Sequence, residues 1–246
     1  MKTLDYINDT LVHWTGRAKD DDSAFEILKS IVTKQLLWLT KAPNFGSTIR
    51  DKETMMVCFT DIPLRFSEKH CSLFGKFGVG FNKNKFIEYG ANPVLYLTST
   101  HNSRISEVNT LINRLLGENI DREWREQVDR YQFTEDQLYS LFELFSFSQE
   151  YKYNDNHINY YQREWRIGYE TLTPKIGGDP TIPGQSGIRG IVNGKMRCEM
   201  KFAPEDIDYV ILPKSHYKRK NEILDIVDCK VKIYEVEVER KWWKKF

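Results

Sequence analysis

The chain has 246 residues, 40% hydrophobic and 13% aromatic, enough to bury one substantial core and to favour one domain over two. Lys and Arg number 36 against 35 Asp and Glu, a formal charge of +1, so no global field draws in nucleic acid or an anionic membrane. Cys58, Cys71, Cys198 and Cys229 form no C-x-x-C pair, the first residues lack the apolar core of a signal peptide, and no run approaches the roughly 18 apolar residues of a membrane span. A reduced, cytoplasmic protein with no membrane partner is expected.

In chain order, Leu11 to Thr15 alternates as a short strand. After Gly16 an aspartate-rich stretch leads into a helix, whose start fits the capping box Ser23-Ala24-Phe25-Glu26. Phe25, Leu28, Val32 and Leu36 then repeat at helical spacing. A loop over 42–54 runs into the strand Met55–Thr60, which Asp61-Ile62-Pro63 stops. Leu64–Leu73 reads as helix. Phe77-Gly78-Val79-Gly80-Phe81 reads as a strand with its glycines on one face, which requires a close-packed neighbour there. Val94–Leu97 is a further strand.

A helical insert is expected over about 103–147, from the repeats Ile105, Val108, Leu111, Ile112, Leu115 and Leu138, Leu141, Phe142, Phe145. Residues 148–159 are polar and loop-like. From about 174 to 194 the chain carries three prolines and six glycines with few large apolar residues, and a mobile excursion is expected there. Strands follow at Arg197–Phe202 and Ile207–Leu212, then a helix over about Tyr217–Val227 and a closing strand from Lys230 to Glu239. Strands dominate without a regular βαβ repeat, so the expected class is α+β in a single domain, 1–246.

The stretch Tyr160–Tyr169 carries the most chemistry. At the two-residue period of a strand, Tyr161, Trp165, Ile167 and Tyr169 share one face with Arg163, and Gln162, Glu164 and Arg166 share the other. That second face sets a carboxylate between an amide and a guanidinium on a rigid element. It is also an ordinary pattern for a solvated polar face.

Other motifs are weaker. Gly78 and Gly80 lack the third glycine and the strand–turn–helix setting of a dinucleotide loop, and no Walker sequence occurs. His70 and Cys71 are adjacent, so their side chains diverge on a helix and no metal is expected. Gly184-Gln185-Ser186-Gly187 sits in the wrong context for a serine-hydrolase elbow. The basic run Lys214–Lys220 suits phosphates on a nucleotide or nucleic acid, though such a run is more often a solvated turn and helix start. The tail Lys241–Phe246 mixes cations with two tryptophans, which suits single-stranded nucleic acid, a partner protein, or closure of the core.

His13-x-Thr15-Gly16, at the end of a first strand, resembles the first motif of ADP-ribosyltransferases of the histidine branch, and Glu164 matches the glutamate of their late strand. Gln162-Arg163-Glu164 is similar to the Q-x-E of the arginine branch. That resemblance implies a split β-sheet core and NAD as substrate, with Glu164 catalytic through the ribose hydroxyl. It implies His13 at the adenosine-side ribose, Thr15 and Gly16 at the carboxamide, Phe59 and Thr60 lining the cofactor, and Gln162 selecting the acceptor. Phe74 and Phe81 compete with Phe59 for the stacking role. Arg166 then either meets a phosphate or neutralises Glu164. Under this reading Glu164→Gln removes NAD chemistry with little loss of stability.

A broader likeness runs through whole segments. Val12-His13-Trp14-Thr15-Gly16, Val57–Pro63, Phe77–Phe81, Asn92-Pro93-Val94 and Arg163-Glu164-Trp165-Arg166 together resemble the AbiGi-type abortive-infection proteins of bacteria. That resemblance implies phage defence and an antitoxin with a toxin partner, without naming a chemistry. Two functions are therefore expected as rivals: an ADP-ribose-transferring or NAD-hydrolysing domain, and a non-catalytic antitoxin.

Overall fold

The computed structural model describes residues 8–41, 54–97, 148–150, 163–170, 183–184, 186–192 and 195–234. The expected insert over 103–147, Gln162 and the tail from Lys241 lie outside these residues.

The described strands in chain order are β1 (Thr10–Thr15), β2 (Leu36–Lys41), β3 (Thr54–Thr60), β4 (Phe77–Asn82), β5 (Asn92–Pro93) and β6 (Leu95–Leu97). They continue as β7 (Ser148–Glu150), β8 (Glu164–Glu170), β9 (Ser186–Val192), β10 (Lys195–Lys201), β11 (Ile207–Pro213) and β12 (Lys230–Tyr234). The α-helices are α1 (Asp21–Lys34), α2 (Glu68–Phe74), α3 (Lys83–Glu88) and α4 (Asn221–Leu224), with 3-10 turns at Leu64–Phe66, Pro204–Asp206 and Lys214–Arg219. The mixture is α+β, as the sequence leads one to expect. The chain divides into two compact units, each gathered from separated segments.

The first unit holds β1, β4, β11 and β12. β4 is flanked antiparallel by β1 and β11, and β12 lies parallel to β11. Leu11 and Thr15 stand opposite Phe81 and Phe77, and this face receives α1: Phe25 meets Phe77 edge-on at 6.3 Å, and Phe25 and Leu28 are fully buried. The other face carries Val12, Trp14, Tyr209 and Ile211 and receives α2 through Cys71, with Leu64 and Phe74 at its margin. Each of these large apolar side chains contributes about 1.5–3 kcal/mol when fully buried. The glycines of β4 lie on the α2 face, as their spacing predicts. A Cβ on Gly80 would sit 2.6 Å from the Tyr209 ring, and one on Gly78 would sit 3.3 Å from Ile211 and Trp14.

The α1 boundaries differ from the sequence expectation. Asp20, not Ser23, caps the helix: its carboxylate accepts from the Ser23 backbone N–H at 2.9 Å and from the Ser23 hydroxyl at 2.7 Å. A carboxylate two bonds from the backbone reaches the orphan donors better than a hydroxyl one turn later, and it also complements the helix dipole. Gln35, left-handed at φ +51°, ends the helix, so Leu36 opens β2 instead of closing the apolar stripe. The helix expected over Leu64–Leu73 is a 3-10 turn followed by α2, broken at buried Ser67. The helix expected over 217–227 is a 3-10 turn and the single turn α4.

The main sheet of the second unit is antiparallel, in the order β9-β10-β2-β3-β8-β5, and β6 and β7 pair parallel in a separate two-stranded sheet. One face, with Leu37, Leu39, Met55, Val57, Phe59, Ile167, Cys198 and Met200, is apolar and buried. The loop expected over 174–194 is corrected in part: Ser186–Val192 forms β9, paired antiparallel with β10 through a bulge at Arg197/Cys198. Gly187 and Gly190 stand within that ladder. Main-chain pairing to β10 holds a stretch whose composition alone suggests a loop.

Candidate functional site

The second unit's other sheet face carries the polar residues. Cys58 stands directly opposite Arg166, Thr60 opposite Glu164, and Asn92 flanks Arg166 from β5. With side chains alternating along each strand, these five residues share one face. The Val94 N–H donates to the Glu164 carbonyl at 2.8 Å, fixing the entry of β8. Arg163, just before it, is left-handed at φ +44°. That turn comes immediately before β8, whose alternation begins at Glu164.

This face is not a solvated one at its centre. Glu164 is 8% exposed and Arg166 2%. Arg166 donates from Nε to Glu164 Oε1 at 2.8 Å and from Nη2 to Oε2 at 3.2 Å, a two-pronged pair between residues i and i+2 of one strand. Of the two roles open to Arg166 in the sequence, the pairing with Glu164 is the one seen. Burial acts to lower the guanidinium pKa, but the hydrogen bonds and charge of Glu164 outweigh it and hold it above its usual value.

Two further groups feel the pair. The Cys58 thiol is pushed well above its ordinary value, first by the protein packed around it and then by the Glu164 carboxylate. As a residue, Cys58 is nevertheless exposed. The Tyr96 phenol is raised in the same way, by burial first and Glu164 second. Both therefore stay protonated at neutral pH, the form that neither a thiolate nucleophile nor a phenolate base takes. The sequence reading placed Cys58 on the middle strand with Phe59 and Thr60 but gave neither Cys58 nor Tyr96 a role of its own. Cys58 could have been found as the residue two before Thr60 on β3, once β3 and β8 are set in register.

The remaining site residues fall elsewhere. Phe59 points to the opposite face from Glu164, is 3% exposed and packs edge-on to Phe86 at 5.2 Å; a ring so placed belongs to the core and is not presented for stacking. Phe81 is fully buried. His13 and Thr15 lie on β1 in the first unit, half-buried and buried respectively, on the α1 face. Gly16 has φ +86°, and a Cβ there would come within 2.4 Å of the Ala24 Cβ, so glycine is required for α1 to turn back onto β1.

The basic run Lys214–Lys220 is largely spent within the fold. Arg219 lies 3.8 Å over the Phe25 ring and reaches Glu222 at 2.7 Å, Glu26 at 2.8 Å and Asp22 at 3.4 Å. His216 contacts Asp22 at 3.1 Å and packs against Phe25 and Phe77, and Lys220 donates to the Tyr217 hydroxyl. These contacts strap the β11–β12 crossover to α1. No helix among the described residues is long and apolar enough to cross a membrane.

Comparison with the curated proteins and with the solved structures gives no match. Residues 26–213, well over half of the 246-residue chain, match the family model described as "Putative abortive phage resistance protein AbiGi, antitoxin", and the chain belongs to that family.

Proposed function

We propose that this protein is the antitoxin of an abortive-infection pair and that it acts by binding its toxin, not by chemistry of its own. The family match over residues 26–213, with its description as an antitoxin, carries the reading. The polar face of the second unit agrees with it. A nucleophile or transition-state carboxylate has to be available to substrate, whereas both oxygens of Glu164 are held by Arg166, and Cys58 and Tyr96 are biased toward their neutral forms.

The rival is NAD-dependent transfer by Glu164, with His13, Thr15 and Gly16 at the cofactor. It keeps one supporting feature, a carboxylate on a rigid strand, and requires Arg166 to release it. The experiment runs both in parallel. The toxin that this antitoxin would neutralise is expressed with and without it, and the purified protein is incubated with NAD and cell extract. Rescue of growth, a stable toxin complex and no nicotinamide release are expected. Nicotinamide release or labelling of a target, lost in Glu164→Gln, would overturn the antitoxin reading in favour of the transferase.

A further inference from the structure

We propose that Ser215, His216 and Asp22 form a nucleophile relay in the first unit, at which the Ser215 hydroxyl takes the acyl group of a small activated carboxylic ester and passes it to water. Pro213 ends β11 with φ −65° and ψ 153°, and the chain turns into the 3-10 segment Lys214–Arg219. Side chains three apart eclipse in such a turn. His216 and Arg219 therefore both face α1, where the imidazole lies against Phe25 and Phe77 and the guanidinium covers Phe25. Ser215 and Lys218 share another side and are exposed. The Ser215 Oγ stands 3.0 Å from His216 Nδ1, and His216 Nε2 stands 3.1 Å from Asp22 Oδ1. The first contact joins neighbours in the chain and alone would carry little. The second brings in a residue 194 positions earlier and completes the order nucleophile, base, orienting carboxylate.

One neutral tautomer serves both contacts. With its proton on Nε2, His216 donates to Asp22 and accepts from the Ser215 hydroxyl at Nδ1. The ring nitrogens are used in the opposite order from the usual serine-hydrolase triad, which is defined by roles and geometry, not by position. The imidazole is held in place, its side chain only 11% exposed against two phenyl rings, while Ser215 is exposed. Attack forms a bond from Ser215 Oγ to the ester carbonyl carbon, and the hydroxyl proton passes to His216 Nδ1. The carbon–oxygen bond to the leaving group then breaks, and the departing oxygen keeps the electron pair and takes the proton from Nδ1. Water, deprotonated by the same nitrogen, releases the carboxylic acid and restores the hydroxyl. The Asp22 side chain is 82% exposed and also lies 3.4 Å from Arg219, so it orients the ring more than it strengthens the base. That favours esters with good leaving groups over amides. The relay uses no residue of the Glu164 face and does not depend on the antitoxin reading.

The test follows nitrophenol release from para-nitrophenyl acetate by the full chain, with acid quenching and peptide mass spectrometry to locate the acetyl group. Wild type is expected to react about 100-fold faster than Ser215→Ala, the lower end of what a positioned base supplies, and to carry the acetyl group on Ser215. Ser215 is exposed, so Ser215→Ala should keep the wild-type thermal midpoint even if His216→Gln, cut from its packing on Phe25 and Phe77, does not. Asp22 is a positioning residue: Asp22→Asn should slow the reaction about tenfold, far less than loss of a buried triad aspartate does. Asp22→Glu should restore most of that rate at an unchanged midpoint, and Lys218→Ala should react as wild type. Equal rates for wild type and Ser215→Ala would overturn the proposal, as would acetyl found on a lysine or on His216 with Ser215 unmodified. An Asp22→Asn rate equal to wild type would overturn the relay.

Discussion

Arg166 holds both carboxylate oxygens of Glu164, its neighbour but one on β8, with each side chain almost out of water. Two charges so placed are tolerable only together. Removing one leaves the other buried without compensation, whereas replacing both by apolar groups of similar size removes the desolvation cost as well.

Glu164→Ala and Arg166→Ala are therefore each expected to lower stability by about 3–5 kcal/mol. Glu164→Gln loses less but is not neutral, which corrects the expectation that this substitution leaves stability almost untouched. Glu164→Leu/Arg166→Met should recover most of the loss. Urea unfolding of the two single variants and the double variant measures this coupling, and additive effects would show that the pair does not act as a unit.

Cys58 provides an independent probe of the same face. It is exposed, yet its thiol is raised above the ordinary range by surrounding protein and by the Glu164 carboxylate. Alkylation by iodoacetamide at pH 8 should be slower than for a free cysteine, since only the thiolate reacts. Neutralising the carboxylate in Glu164→Gln should lower the thiol pKa and speed the reaction. Arg166→Gln should slow it, because the guanidinium works in the opposite direction. Mass spectrometry of the labelled peptide over time follows both.

Gly75 closes the end of α2 against the β1–α1 turn. It has φ +109°, and a Cβ there would come within 2.1 Å of the Thr15 carbonyl oxygen. Gly75→Ala should cost about 1–3 kcal/mol from the backbone conformation alone, with the steric overlap added. Gly90 has φ +91° but open space around it, so Gly90→Ala should carry only the backbone part. Comparing the two midpoints in denaturant separates crowding from conformation.

The strap over α1 should respond to acid. Hydrogen bonds from Arg219 and Lys29 hold the Glu222 carboxyl down from an ordinary 4.5 to about 2. A depressed folded-state value means that stability is present above pH 4.5 and is lost as pH falls toward 2. Glu222→Gln should remove that part of the acid dependence. Since the pair lies at the surface and is only half-buried, salt should weaken the effect. Thermal midpoints between pH 6 and pH 2 at two salt concentrations give the comparison. Arg219→Ala should in addition lose the stacking on Phe25.

Much of the strand content was legible because it rests on local pattern. Leu11–Thr15, Met55–Thr60, Phe77–Phe81 and Ile207–Leu212 alternate or run apolar, and each lies within an observed strand. The glycine face of β4 was legible for the same reason. Ser186–Val192 was not: its pairing with β10 is a tertiary matter that glycine-rich composition hides. Leu36 continued the apolar spacing of α1, and only the left-handed Gln35 before it marks the change to strand. At the candidate site, the shared face of Glu164 and Arg166 followed from periodicity. Their pairing was one of the two roles left open for Arg166, and the place of Cys58 beside them did not follow, because it depends on the register between β3 and β8. Phe59 went astray by one residue of phase, which on a strand is the difference between the two faces.

The first unit draws its central strand's two partners from widely separated segments, β1 (Thr10–Thr15) and β11 (Ile207–Pro213). On the ribosome, β4 therefore waits with one edge open until some 130 further residues have been made, the interval between Phe77 and Ile207. The unit can therefore close only once β11 has emerged, and any nascent chain interrupted before β11 leaves α2 without the Tyr209 and Ile211 against which it packs.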